Sequence, residues 1–223
     1  MSTDFYSKKH CLYIVYTLIC CIIFGFLSCA VYFAKREVVA FNKTFYFLIA
    51  KTEHVEVGIY ETQLDGGAGY LLNHEGEEYV AVAVYLTEEK GKAVQAGMNE
   101  TLLLSISTED LYLFNRKQRS RAQDYKAALD CLYHCIEILS KEIARLDKGA
   151  TQQSSLKTLY ILQKQFAYLS TEYKNRFSAF SMACGMVSEC MEQLLSDIIY
   201  ARDLREIMCY ACDWYIQLAK SLV

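Results

Sequence analysis

Ten cysteines and four histidines are the side chains best suited to chemistry in this 223-residue chain. Cys11, Cys20, Cys21 and Cys29 fall in an uncharged apolar stretch and act there as small hydrophobes. The other six come in neighbouring pairs, Cys131 with Cys135, Cys184 with Cys190 and Cys209 with Cys212. Spacings of four and three put both thiols of the first and last pairs on one side of a helix. Zinc needs four convergent ligands. Cys131, His134, Cys135, Cys209 and Cys212 would supply them only if two helices met there, and no ligand loop flanks either pair. Buried packing is the expectation, and no metal is assigned. In an oxidising compartment the same pairs can form disulfides. His10, His54, His74 and His134 do not cluster in the sequence, which holds no nucleophile elbow, phosphate loop or HExxH run. Neither catalysis nor a cofactor is expected.

Whatever these residues do, the elements that carry them belong to a folded chain. At 53% hydrophobic and 22% charged, with 10 Gly and no Pro, the composition excludes collagen-like, linker and disordered classes. A net charge of −3 removes the basic signature of a protein whose partner is nucleic acid.

Cys11 to Ala34 runs without one charged side chain, and a bilayer core takes roughly twenty apolar residues in a helix. The sequence therefore predicts a short tail over 1–10 and a transmembrane helix over 11–34, with the lipid bilayer as a partner. A cleaved signal peptide is the rival, but its apolar core is shorter, about 7 to 15 residues. Lys8 and Lys9 on one side balance Lys35 and Arg36 on the other, so charge leaves the orientation tied. The preferred placement is the cell membrane, single-pass, with the N-terminus cytoplasmic and the C-terminal part outside.

Beyond the span, Thr44 to Lys51 reads as a strand with both faces apolar. Glu53 to Asp65 is ambiguous between a short helix and irregular chain. Ala68 to Asn73 and Glu78 to Leu86 read as a hairpin across His74-Glu75-Gly76-Glu77. Thr87-Glu88-Glu89-Lys90 resembles a capping box opening a short helix, and Thr101 to Ser107 closes the run as a strand. The predicted fold class is α+β: an N-terminal transmembrane helix, a small ferredoxin-like βαββαβ domain over 44–107, and a helical bundle over 109–223.

Gly66-Gly67-Ala68-Gly69-Tyr70, the run Tyr79-Val80-Ala81-Val82-Ala83-Val84-Tyr85 and Ala93 in the helix behind it carry a resemblance. They are similar to the sporulation-related repeat (SPOR) domain. The resemblance implies binding to peptidoglycan glycan strands stripped of peptide, in a single-pass bacterial protein of septal or sporulation-related localisation. Ile49-Ala50-Lys51 and the Val84-Tyr85 ending depart from the family pattern. On strand alternation, Val80, Val82 and Val84 face the helices, while Tyr79, Ala81, Ala83 and Tyr85 face out, with Tyr46 and Tyr70 beside them. Two small alanines between tyrosines form a shallow trough, and tyrosine offers a sugar ring both apolar area and a hydroxyl. These six are the candidate glycan-binding residues. The bland alternative packs them under the C-terminal helices.

From Glu109 the pattern becomes helical. Ala122, Tyr125, Leu129, Leu132, Ile136, Leu139, Ile143 and Leu146 recur at alternating intervals of three and four, a coiled-coil seam. Asp147 to Ser154 is a loop, and a second helix carries Leu159, Leu162, Phe166, Leu169 and Tyr173. After a weak break at Gly185 a third begins at Val187, its seam shifting before it continues through Leu204, Met208, Cys212, Tyr215 and Leu218. An antiparallel three-helix bundle follows, a surface for a protein partner or for self-association. Two functions are open: a non-enzymatic, membrane-anchored glycan-binding protein, or a membrane-anchored scaffold acting through its bundle with no glycan binding.

Overall fold

The computed structural model describes residues 37–39, 41–98, 100–113, 116–196 and 199–221. The expected tail 1–10 and span 11–34 lie outside them.

Four strands form one antiparallel sheet: β2 (Thr44–Ala50), β3 (Tyr70–His74), β4 (Glu77–Tyr85) and β5 (Thr101–Ser107), in the order β3-β4-β2-β5. Glu75 and Gly76 join β3 to β4 with φ of 54° and 86°. Two successive positive φ angles give a turn whose twist matches that of the strands it connects. Helix α1 (Val55–Leu64) links β2 to β3 and packs on β4; α2 (Glu88–Gln95) links β4 to β5 and packs on β2 and β5. Gly91 lets α2 lie close, because a Cβ there would come within 2.8 Å of Leu103. A second, two-stranded sheet pairs β1 (Glu37–Val39) with β6 (Leu111–Leu113).

Four helices complete the chain: α3 (Arg116–Asp147), α4 (Gln152–Tyr173), α5 (Ser178–Leu195) and α6 (Ala201–Lys220). The predicted seam of α3 is buried from Ala122 to Ile143, with Leu146 half-buried. Helix α6 packs on α3 and α5 and also on β4 and β3. One hydrophobic core therefore runs from Phe45, Phe47, Leu72 and Ala81 of the sheet into Leu132, Phe166, Phe180 and Tyr215 of the helices.

The expected fold class is corrected. The described residues form an α+β arrangement of six helices in which the sheet is built into the helical half. Among them no helix is long and apolar enough to cross a membrane. The bundle has four helices rather than three. Gly185 does not break α5; its missing side chain lets α4 approach, since a Cβ there would sit 3.1 Å from Ser170 Oγ. The break comes later, before Ala201, where the Tyr200 N–H donates to Asp203 Oδ2 at 3.2 Å and so satisfies one donor at the helix start. The shift in the hydrophobic seam marks this new helix.

Candidate functional site

The six candidate residues begin on one sheet, but a β-bulge separates them. Ile49 lies opposite Ala81 and Leu48 opposite Ala83, with Val82 left as the additional residue. Adjacent residues of β2 point to opposite faces, so their partners Ala81 and Ala83 do as well, although they are two apart in sequence. Tyr70 is opposite Ala81, and Tyr79 is opposite Leu72, which places Tyr70, Tyr79 and Ala81 on the face that packs against the helical bundle. Ala83 shares the other face with Leu48, as does Tyr46; Tyr85 pairs with Tyr46 at the strand end but lies near Arg205, Asp147 and Cys209 of the helical half. Val84, predicted to face α1 and α2, pairs with Phe47 in the core shared with the bundle. Ala81 and Ala83 are 0% and 4% exposed. The predicted trough is thus divided between two covered faces.

Helix α6 covers the face toward the bundle, and α1 and α2 cover the other. The Tyr70 hydroxyl donates to Asp213 Oδ2 at 2.8 Å, and Asp213 is buried. Burial, reinforced by the neighbouring Asp213 carboxylate, pushes the Tyr70 phenol far above its ordinary value. Its hydroxyl therefore stays protonated and available as a donor. Further along α6, Tyr215 packs edge-on to Phe45 of β2, with ring centroids 5.3 Å apart, and Tyr133 of α3 meets both rings. Lys43 Nζ lies 3.9 Å from the centre of the Tyr133 ring, within cation–π range. At the other end, Arg205 donates through Nη1 to the Gly66 carbonyl at 2.6 Å and through Nη2 to Asp147. One guanidinium thus ties together the glycine turn, the end of α3 and the start of α6.

Beside Tyr70 a cleft of about 280 Å³ opens between α5 and α6, lined by Val187, Cys190, Leu194, Glu206, Ile207 and Tyr210 among others. Its chemistry is muted. Burial, then Glu206 and Glu189, raises the Cys190 thiol, and burial with Asp203 raises the Glu206 carboxyl. A neutral thiol is a poor nucleophile. The Tyr210 hydroxyl is engaged with the Met186 sulfur at 3.0 Å.

Cys135 and Cys131 lie near enough to Cys184 to raise its thiol further, and Cys209 does the same for Cys212, but among the described residues no three His, Cys, Asp or Glu side chains converge as a metal site. His134 faces Glu137 at 3.5 Å. Cys135, Cys184, Cys209 and Cys212 are buried, and Cys131 and Cys190 exposed, all as free thiols. Burial pushes the Cys135 thiol up to about 12 and raises those of Cys184, Cys209 and Cys212.

Asp213 and Arg205 were not among the residues singled out from sequence. A signal existed for the first: Asp213 is a lone carboxylate within the buried run Met208–Ile216 of α6, and such a group requires a donor. Compared with protein-family models, curated proteins and solved structures, the chain matches none.

Proposed function

We propose that this protein is a non-catalytic assembly protein held at a lipid bilayer, in which the α+β layer is a rigid part of the helical body and not a glycan-binding surface. The observation that carries this reading is the closure of the sheet's broad face by α6, with the Tyr70–Asp213 hydrogen bond, half-buried, joining the two. A sugar ring cannot stack on Tyr70, Tyr79 and Ala81 without displacing a helix that shares their core. The absence of charge over 11–34 supports attachment to the bilayer; the tail 1–10 is placed inside and the folded part outside as part of the proposal, since the flanking charges do not decide it.

The folded part offers surfaces for assembly. Val57, Tyr60 and Leu64, at intervals of three and four along α1, are 51%, 64% and 65% exposed. Tyr160, Ile161 and Tyr168 of α4 are also exposed. Stripes of this kind mark contact with other macromolecules when they are contiguous.

Sedimentation of the full chain, in detergent, with purified peptide-free glycan strands tests the proposal. The expected result is no co-sedimentation above a bead control. Retention that Tyr79→Ala or Tyr85→Ala weakens would overturn it. Placement is checked separately with a membrane-impermeant maleimide on intact cells: Cys131 and Cys190 become labelled if the body lies outside, and remain unlabelled until lysis if it lies inside.

A further inference from the structure

The two edges of the four-stranded sheet differ in a way that bears on what the protein assembles with. The β3 edge is five residues long and stands beside the exposed carboxylates of Glu75, Glu77 and Glu78. The β5 edge, Thr-Leu-Leu-Leu-Ser-Ile-Ser over Thr101–Ser107, has seven residues and no charge, proline or bulge. Sheet proteins ordinarily blunt an edge with charge, proline or a bulge, because its free N–H and C=O groups recruit another strand.

Which groups are free follows from the ladder. Thr108 N–H donates to the Lys43 carbonyl at 2.9 Å, and Lys51 N–H to the Glu100 carbonyl at 2.8 Å, at the two ends of the β2–β5 pairing. In an antiparallel ladder, bonded and non-bonded pairs alternate. The bonded pairs in between are therefore Phe45–Ile106, Phe47–Leu104 and Ile49–Leu102, and the backbone of Thr101, Leu103, Ser105 and Ser107 points away from the sheet. Gln95 Nε2 already donates to the Thr101 carbonyl at 3.3 Å. Leu103 and Ser105 remain at the centre as the pair positioned to receive another strand.

We propose that β5 pairs antiparallel with β5 of a second copy of this chain, about a two-fold axis at Leu104, to make one continuous eight-stranded sheet. The strand is self-complementary in this register. Leu103 exchanges both hydrogen bonds with Ser105 of the second copy and Ser105 with its Leu103, so the central outward groups of both copies are satisfied. Leu104 meets Leu104, and Leu102, 47% exposed in one copy, lies opposite Ile106, which at 3% exposure is already covered by its own chain, so Leu102 and Leu104 supply the apolar contact. No charged side chain lies on either strand, so like charges do not oppose the pairing. Val94 and Met98, each more than a third exposed, lie on the segment leading to this edge and add apolar area beside it. A two-fold contact of this type is closed and stops at the dimer. The inference rests on the assembly reading and supplies its partner.

The test uses the full chain in detergent, with mass measured by sedimentation equilibrium. Ser105→Pro removes an N–H that the monomer's own ladder does not use, and proline is tolerated on an edge with its N–H side outward. The expected result is a dimer for the natural chain and a dimer constant weakened about tenfold or more by Ser105→Pro. Leu104→Cys gives an independent readout. The central non-bonded pair brings two Cα atoms to about 4.5 Å, within disulfide range, so mild oxidation links position 104 of one copy to position 104 of the other, located by peptide mass mapping. A monomeric natural chain, a dimer indifferent to Ser105→Pro, or linkage of the introduced thiol only to the natural cysteines would overturn the inference. A monomeric natural chain with no glycan retention would leave the assembly reading standing without this partner. Glycan retention by an intact dimer would remove that reading and leave the pairing.

Discussion

Replacing Tyr70 by Phe removes one oxygen and tests whether sheet and helices are one cooperative unit. In the folded protein the Tyr70 hydroxyl donates to Asp213 Oδ2 at 2.8 Å, joining the first residue of β3 to α6 across 143 positions of sequence. Asp213 is 7% exposed while Tyr70 lines the cleft between α5 and α6, so the carboxylate itself is screened from water even though the Tyr70 side of the pair is not. Hydrogen bonds to charged groups contribute about 1.5–3 kcal/mol, and a buried acceptor left without its donor bears its desolvation cost. Each kcal/mol shifts the melting temperature of a 150–250-residue chain by roughly 2–4 °C. Tyr70→Phe should therefore lower the melting temperature by roughly 3–12 °C, read by near-UV circular dichroism of the full chain in detergent. Asp213→Leu in the same background should recover part of the loss, because removing both polar partners is far less costly than removing one. A Tyr70→Phe variant that melts with the natural chain, or two melting steps for sheet and helices in the natural chain, would refute the reasoning.

Other perturbations follow from the same packing. Alkaline unfolding is one: Tyr70 and Tyr215 are raised above their ordinary value of 10.0 chiefly by burial. The folded state thus holds protons that the unfolded state gives up. Stability from these two groups is complete below pH 10 and falls as pH rises above it; a melting temperature flat from pH 10 upward would contradict this. With an uncharged thiol reagent at pH 8 the native protein should label at Cys131 and Cys190 before Cys135, Cys184, Cys209 and Cys212, all four buried and raised; uniform labelling rates would show that this core is not closed. Gly69→Ala should destabilise by about 1–3 kcal/mol, because its φ of 60° is strained for a residue with a side chain and the added Cβ would lie 2.8 Å from the Ile59 carbonyl oxygen, seen as a lower denaturant midpoint; an unchanged midpoint would mean that the turn between α1 and β3 re-forms without its glycine.

The four strands of the main sheet, the hairpin and the α3 seam were legible because their patterns are local. Alternation, turn residues and a regular three-four spacing fix them within a few residues of chain. Strands β1 and β6, three residues each, were not legible, and Leu111–Leu113 lies in the stretch read as helical from Glu109. The bulge was not legible: Val80 to Val84 is apolar on both sides, and no glycine or proline marks the position where the phase slips. The cover over the sheet did leave a trace. Thr44–Ala50 is apolar on both faces, the pattern of a sheet buried on both sides, and an open ligand face would have required polar alternation. The division of α5 from α6 was hidden because neither glycine nor proline stands between Leu195 and Ala201; the Asp203 cap carries it instead. Tyr70–Asp213, the contact that most affects the functional reading, lies beyond the reach of any periodicity.

Hydrogen–deuterium exchange of the full chain, followed by mass spectrometry, addresses the union of sheet and helices most directly. If α6 is the permanent cover of the sheet, backbone amides of β4 from Tyr79 to Tyr85 and of α6 from Met208 to Ile216 will share one opening free energy, and Tyr70→Phe will lower both together. If α6 exchanges freely while β4 stays protected, the helix is a detachable lid, the sheet face is accessible to ligands, and sheet and helices are not one body.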